Sequence, residues 1–227
     1  MHIRDGFLDA DVAVAAGVTA AGVVGWSLRR ADRTLDERRI PLLGVTGAFV
    51  FAAQMLNFPV AGGTSGHFLG AALAAVLLGP SLACLVLTVV LTMQAFLFAD
   101  GGITALGANV LNMGVIGALA VGAAMLAGRR VLPRSRTAFL AVAGAGAWLA
   151  VMLGALATGI ELAVSGTALA ATVLPAMLGV HAVIGLGEAV ITVAALGAVL
   201  ATRPDLIAVG GPAPAAPGAV AAQETAA

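Results

Sequence analysis

A histidine at the second position of the chain has the most distinctive chemistry. The α-amine of Met1, the backbone nitrogen of His2 and the His2 imidazole Nδ1 can chelate one metal ion in fused five- and six-membered rings. The chelate requires loss of the amide proton, which suits a strongly bonding late divalent metal. Nitrogen donors in a planar array favour Ni(II) or Cu(II), with Co(II) as a neighbouring candidate.

A second histidine, His67, ends a polar glycine-rich stretch at 61–67 and could complete a four-nitrogen set. In the same stretch, Thr64 and Ser65 could orient the ligands through hydrogen bonds. We expect Met1 to stay on the mature protein, because the bulky His2 disfavours its removal. The start of the chain lacks the basic cluster of a secretory signal peptide.

The composition places these residues in a membrane protein. Of 227 residues, 61% are hydrophobic and 10% are charged, and the mean hydropathy is +1.07. Soluble domains carry about 25% charged residues. This chain could not coat a water-soluble surface, which excludes an ordinary cytosolic enzyme, a basic nucleic-acid binder and a disordered protein. A lone cysteine, Cys84, excludes a disulfide framework and a cysteine-rich metal site.

Apolar runs predict an all-α polytopic membrane protein with about seven transmembrane helices, since a crossing needs roughly 20 apolar residues. One run, 68–78, is short, and a further segment, 167–178, could be a half-helix or a helix on the membrane surface. The predicted spans are 10–28, 40–58, 68–78, 81–98, 108–127, 137–157 and 180–201.

The arginines predict the orientation, because positive residues collect on the cytoplasmic side. With seven crossings, all of the eleven arginines except Arg4 fall on one side. The N-terminus therefore faces out and the C-terminus is cytoplasmic. We expect residues 1–203 to form a single transmembrane substrate-binding domain and the Pro/Ala-rich residues 204–227 to form a disordered cytoplasmic tail.

Small residues recur at four-residue spacing on the first two predicted helices. Such stripes permit close approach of helices, either within the protein or at a partner interface. The two stripes are Ala13, Gly17, Ala21 and Gly25 on the first helix, and Gly44, Ala48 and Ala52 on the second.

Three polar residues in or near the predicted spans are interpreted as supporting groups. His181 and Glu188 are seven residues apart, two turns along one helical face. Because an intramembrane glutamate needs a partner or a function, we predict a buried hydrogen-bonded pair in preference to metal ligation. Asn109 is interpreted as a residue that supports the site or joins helices.

Four stretches, in order, resemble the CbiM/NikM family, whose members are substrate-binding membrane components of energy-coupling-factor transporters for cobalt and nickel. The resemblance extends from Met1 to about Arg203, and Arg4 stands where the family usually has proline. The stretches are MHIRDGFL at 1–8, AGGTSGHFLG at 61–70, FADGGITALGANVLNM at 98–113 and HAVIGLGEAVIT at 181–192.

The resemblance implies a seven-helix fold with the N-terminus inserted into the protein. It implies a metal bound by the Met1 amine, the His2 amide nitrogen and imidazole, and His67. It also implies a multi-pass protein of a bacterial or archaeal plasma membrane, which takes Ni(II) or Co(II) as substrate and has no tightly bound cofactor. The implied partners are a transmembrane scaffold subunit, two cytoplasmic ATPases and a small auxiliary membrane subunit.

The chain itself is not expected to be an enzyme, because it has no phosphate-binding G-x-x-x-x-G-K-[ST] motif. Two alternatives stay open. Residues 63–66 match the G-x-S-G of rhomboid-type intramembrane proteases, with Ser65 as nucleophile and His181 as base. A passive metal channel would need no ATPase. The sequence does not decide between nickel and cobalt.

Overall fold

The structure is a computed structural model that describes residues 1–60 and 64–211. This part of the chain contains seven helices of eight residues or more. They are α1 Ala10–Thr34, α2 Ile40–Gln54, α3 Ala71–Leu78, α4 Pro80–Phe98, α5 Leu106–Val131 (π-helical over Val110–Ile116), α6 Arg136–Val164 and α7 Ala170–Thr202.

The protein is an all-α polytopic membrane protein, as its composition predicts. Five helices are long and apolar enough to cross a bilayer, namely α1, α4, α5, α6 and α7. The helix α2 has 15 residues and α3 only eight, so α3 is about 12 Å long against a hydrocarbon core of about 30 Å. Seven complete crossings and their orientation stay predictions.

The predicted second span, 40–58, is too long. Helix α2 ends at Gln54 and is followed by an antiparallel hairpin of β1 (Phe58–Val60) and β2 (Thr64–Gly66). Pro59 accounts for part of the difference, because it disfavours helical backbone in Phe58 and lacks the N–H that would bond to the Met55 carbonyl in a continued helix. Two short strands are the β structure in the described residues.

The uncertain segment 167–178 is the beginning of the last helix. Helix α7 runs without interruption over 33 residues, about 50 Å, and is antiparallel to α6. Arg136 donates to the carbonyl of Gly197 at one end of this pair, and Trp148 donates to the carbonyl of Ala182 nearer the other. A separate half-helix is therefore wrong.

The first residues of the predicted cytoplasmic tail are packed against the protein. A helical turn at Pro204–Leu206 leads to Ala208 and Val209, whose N–H groups both donate to the carbonyl of Val76, at 3.0 and 3.2 Å. In a regular helix that carbonyl would accept from residue 80, which is Pro80 and has no N–H. The part of the tail beyond residue 211 lies outside the described residues.

The small-residue stripes have different surroundings. On α1, Gly17 packs against Gly107 of α5 so closely that a Cβ on Gly107 would lie 2.4 Å from the Cα of Gly17. On α2, Gly44, Ala48 and Ala52 are all exposed. Beside this exposed face, an apolar cleft of about 800 Å³ lies between α1, α2 and α4.

Candidate metal centre

The N-terminal segment enters the protein and is fixed there by main-chain contacts. Met1 and Ile3 are fully buried, and His2 is 3% exposed. The N–H of Ile3 donates to Asn109 Oδ1 at 2.8 Å, and Asn109 Nδ2 donates back to the carbonyl of Ile3 at 3.1 Å. Gly102 N–H donates to the same carbonyl at 2.8 Å. The side chain of Asn109 thus forms hydrogen bonds with both the N–H and the carbonyl of Ile3.

The loop after α4 lies directly against this segment. Asp5 Oδ1 accepts from both the N–H and the hydroxyl of Thr104, at 2.7 and 2.6 Å. These bonds, the side-chain bond first, lower the pKa of Asp5. Gly102 permits the approach, because a Cβ there would lie 2.3 Å from the nitrogen of Asp5. Residues 1–5 and the loop at 99–105 therefore form one packed unit.

The two predicted ligand histidines lie together. The imidazoles of His2 and His67 stack with their centroids 4.5 Å apart and an interplanar angle of 22°. His67 Nδ1 lies 2.7 Å from the carbonyl of Phe68, so it carries the proton and donates. His67 Nε2 therefore has the free lone pair, and this buried atom has no hydrogen-bond partner among the described residues. It is suited to bind a cation.

Asp100 is the carboxylate beside the histidines. Its Oδ1 lies 2.9 Å from His2 Nδ1, and its Oδ2 accepts from Asn57 Nδ2 at 3.1 Å. Partial burial alone would raise the pKa of Asp100, but its hydrogen bonds with His2 and Asn57 lower it. Because the predicted chelate uses His2 Nδ1, the imidazole would have to leave Asp100 or turn about Cβ–Cγ before that atom could bind metal.

Burial makes the nitrogen donors neutral near physiological pH. Desolvation lowers the pKa of the Met1 amine from 8.0 to about 4, against the opposing charge of Asp100. Desolvation also lowers the pKa of His2, and it lowers the pKa of His67 well below the usual value, with the amine and His2 adding to the effect. Neutral amine and imidazole nitrogens are the forms that bind metals.

The described residues contain no cluster of three or more His, Cys, Asp or Glu side chains that could hold a metal. The predicted donor set is of a different kind. It contains two imidazoles, and its other donors are the Met1 amine and an amide nitrogen. The predicted centre would therefore take half of its donors from the main chain of the N-terminal segment.

The predicted pair of His181 and Glu188 does not form. Both Glu188 carboxylate oxygens accept main-chain N–H groups, from Leu69 at 2.9 Å and Gly70 at 2.7 Å. His181 Nδ1 donates to the carbonyl of Met177, 2.7 Å away, in its own helix. The prediction failed because unpaired N–H groups at the start of α3 are nearer partners for a buried carboxylate than a histidine two turns away.

The other supporting residues differ in how much the structure says of them. Asn109 lies at the centre and contacts the N-terminal segment rather than a ligand side chain. The side chains of Thr64 and Ser65 lie outside the described residues.

Sequence reasoning missed Gln54, whose Nε2 donates to the carbonyl of Leu69 at 2.8 Å. The available signal was a lone glutamine in an apolar run. It also did not predict that Asp100, the one carboxylate in its loop, contacts His2.

Residues 2–206 match the family described as the cobalt-uptake substrate-specific transmembrane region, CbiM. The chain is 44% identical over 209 residues to a putative metal transport protein of Haloquadratum walsbyi, covering 91% of this chain and 93% of that one. It is 43% identical over 210 residues to a putative fused nickel transport protein, NikMN, of Archaeoglobus fulgidus, covering 91% of this chain and 68% of the fused protein.

A solved structure has the same fold. The crystal structure of a truncated transition metal transporter superposes with a TM-score of 0.82 at 32% sequence identity. The match covers 88% of this chain and 99% of the other.

Proposed function

The chain belongs to the CbiM family of cobalt-uptake transmembrane proteins, and from this premise we propose that it captures Ni(II) or Co(II) through its own N-terminus. It is a multi-pass plasma-membrane component of metal uptake. The proposed ligands are the Met1 amine, the His2 amide nitrogen and imidazole, and His67 Nε2. The observation that carries the proposal is a fully buried chain end beside two stacked imidazoles.

The proposed binding reaction replaces metal-bound water with four nitrogen donors. The His2 amide must lose a proton to become a ligand, and a strongly bonding late divalent metal can drive that loss. Asp100, next to His2, supplies a negative charge close to the entering cation. Asn109 and the loop at 99–105 hold the main chain of the first residues in place before the metal arrives. The His2 imidazole then has to leave Asp100 to complete the chelate.

The proposal extends to how the captured ion leaves. A transmembrane scaffold subunit and two cytoplasmic ATPases, with a small auxiliary membrane subunit, would reorient this protein and open the site inward. The exposed stripe of Gly44, Ala48 and Ala52 on α2 is the proposed scaffold contact, because small residues allow close approach of a second helix. Uptake that continues after ATP depletion would instead favour a passive channel.

The protease alternative has little support. The chain belongs to a transport family, and the side chain of Ser65, the nucleophile in that hypothesis, lies outside the described residues. Loss of function in Ser65→Ala with full function in His2→Ala would revive it.

Acetylation of the Met1 amine tests the N-terminal chelate, and the chain has no lysine that would react in its place. An acetylated nitrogen has no basic lone pair to give to the metal, so we expect Ni(II) and Co(II) affinity to fall by more than about 100-fold, beyond the usual cost of losing an outer partner of a ligand. Calorimetry on purified protein measures the change. Protein carried through the same treatment without the acetylating reagent is the control.

Unchanged affinity in the acetylated protein, with the control also unchanged, would contradict the proposed ligand set. Competition between Ni(II) and Co(II) on the wild-type protein then measures which ion it prefers.

A further inference from the structure

We propose that Glu188 of α7 and Gln54 of α2 are positioning residues for the metal centre, which act by fixing the main chain next to His67. We call these two side chains the Leu69 clamp, because both bind the main chain of Leu69. The inference rests on the proposed function: it gives a role in metal binding to two groups that do not touch the metal.

Glu188 provides the stronger half of the clamp. It is only 4% exposed, and its two oxygens accept from the N–H groups of Leu69 and Gly70. Burying a carboxylate is costly unless its oxygens are satisfied. The start of α3 meets this need, because its N–H groups lack partners within the helix and carry a partial positive charge.

Helix α3 cannot supply its own cap. All eight of its side chains, Ala71–Leu78, are apolar and buried, and its N-cap residue is Gly70, which has no side chain. Gly70 also has φ +72, and a Cβ there would lie 2.8 Å from a methyl group of Val50. The cap therefore comes from another helix, and α7 is tied to α3 through it.

Gln54 fixes the opposite side of Leu69. Its Nε2 donates to the Leu69 carbonyl at 2.8 Å, while the Leu69 N–H is held by Glu188. Both peptide planes that meet at Leu69 are thus restrained by side chains from two different helices. The Gln54 Oε1 is buried and has no hydrogen-bond partner in the described residues, so the contact with Leu69 is the hydrogen bond that the described residues give this side chain.

The restrained segment is the one that aims the His67 imidazole. His67 lies two residues before Leu69 and bonds through Nδ1 to the carbonyl of Phe68, the residue between them. On its other side, Gly66 pairs with Phe58 in the hairpin. Metal ligands must be held to within about 0.5 Å of the productive geometry. Release of Leu69 would let the Phe68 carbonyl, and His67 with it, move away from His2.

The test uses the full-length protein in detergent, titrated with Ni(II). Glu188→Gln keeps the size of the side chain but leaves one N–H facing an amide donor. We expect its Ni(II) affinity to fall about 10- to 100-fold, the range found when outer partners of metal ligands are lost. Thr192→Val is the matched control, because Thr192 is also buried and lies one turn along the same helix; we expect its affinity to change less than about twofold.

A purely structural role would leave the folded protein with a normal metal centre, so the spectrum of the loaded protein is the second measurement. We expect Cu(II)-loaded Glu188→Gln to show the electron paramagnetic resonance signature of His67→Ala, with one nitrogen fewer than wild type. Gln54→Met serves if Glu188→Gln fails to fold, since it removes the donor at nearly constant volume, and we expect its Ni(II) affinity to fall severalfold.

Wild-type affinity and a wild-type spectrum in Glu188→Gln, or in Gln54→Met where that variant replaces it, would overturn the clamp. The proposed function would stand if His67→Ala still bound Ni(II) more weakly than wild type and lost one nitrogen from its Cu(II) spectrum. If the wild-type protein binds neither Ni(II) nor Co(II), the proposed function and the clamp both fail.

Discussion

Burial of the Met1 amine has a direct chemical consequence. An amine exposed to water is largely protonated at neutral pH, whereas this one, with a pKa of about 4, is already neutral. In the proposed chelate, the His2 amide is therefore the group that still has to lose a proton when the metal binds. Burial favours the neutral amine, so the amine loses its proton when the protein folds rather than when the metal binds. The free energy needed to deprotonate it is then part of the free energy of folding.

The expected proton release at neutral pH is therefore about one proton per Ni(II) bound, against about two for the same chelate on an exposed chain end. Affinity should fall about tenfold for each unit by which the pH drops, because one proton competes with the metal, and more steeply below about pH 4, where the amine also becomes protonated. Calorimetry in two buffers of different ionisation enthalpy counts the protons. Release of two protons at neutral pH would contradict a pre-neutralised amine.

Residue types and spacing were enough to predict that His2 and His67 approach each other at the site. They did not predict the hydrogen-bond partners of the polar residues around them. The chemistry of a histidine at position two follows from covalent structure alone, so His2 could be singled out without a fold. The partner of Glu188 could not, because it is a main-chain N–H exposed by the end of a helix 118 residues away. The role of Asp100 likewise depends on a loop that returns to the chain's beginning.

At the scale of elements, a close backbone contact joins α1 to α5. Gly17 and Gly107 meet backbone to backbone at the point where α5 begins, two residues before Asn109. Asn109 in turn holds Ile3 and lies next to the π-helical stretch Val110–Ile116. Such stretches often mark functional sites, because the extra residue changes which side chains face inward. We therefore expect the position of α1 to influence the proposed metal centre.

Gly107→Ala should lower both stability and metal affinity. The new methyl would lie 2.4 Å from Gly17 Cα, which forces the helices apart, and overpacking of this kind costs about 1–3 kcal/mol. Thermal unfolding and Ni(II) titration measure the two effects.

Gly22→Ala on α1 is the control, since a Cβ there meets nothing within 4 Å. We expect that change to be neutral or to stabilise by up to about 1 kcal/mol, because alanine favours a helix more than glycine does. Equal melting points for the two variants would show that the Gly17–Gly107 contact does not control the packing of α1.

The elements themselves were predictable to different degrees. Long apolar runs identify the five long helices, because the bilayer imposes both their length and their composition. The short α3 was also visible as an interrupted run. The hairpin was missed because one proline is its main signal in the sequence. The packed segment after α7 was missed because it depends on a long-range contact: its N–H groups donate to the carbonyl of Val76, which Pro80 leaves without a helical donor.

For the whole molecule, the ends of the bundle differ in charge, and this difference predicts how the protein lies in the membrane. The arginine-rich turns follow α1 and α5, at the end opposite to the metal centre. By the positive-inside rule that end faces the cytoplasm. The candidate site then faces outward, where an importer must collect its substrate.

Labelling of single cysteines in intact cells tests this orientation. We expect Ile103→Cys, in a loop residue that is 52% exposed, to react with a membrane-impermeant maleimide, and Arg134→Cys to react only after lysis. The native Cys84 is buried and should give little background. Reaction at 134 but not at 103 in intact cells would reverse the orientation and contradict the proposed direction of transport.

The proposed use of the Met1 amine as a ligand would also link the site to protein synthesis. In bacteria, translation begins with formylmethionine, and a formylated nitrogen is an amide with no basic lone pair. A newly made chain could then fold completely and still lack its first donor until a deformylase acts. Inhibition of that enzyme would leave correctly inserted protein that cannot hold nickel or cobalt, so the last step in building this site would be a hydrolysis rather than a folding event.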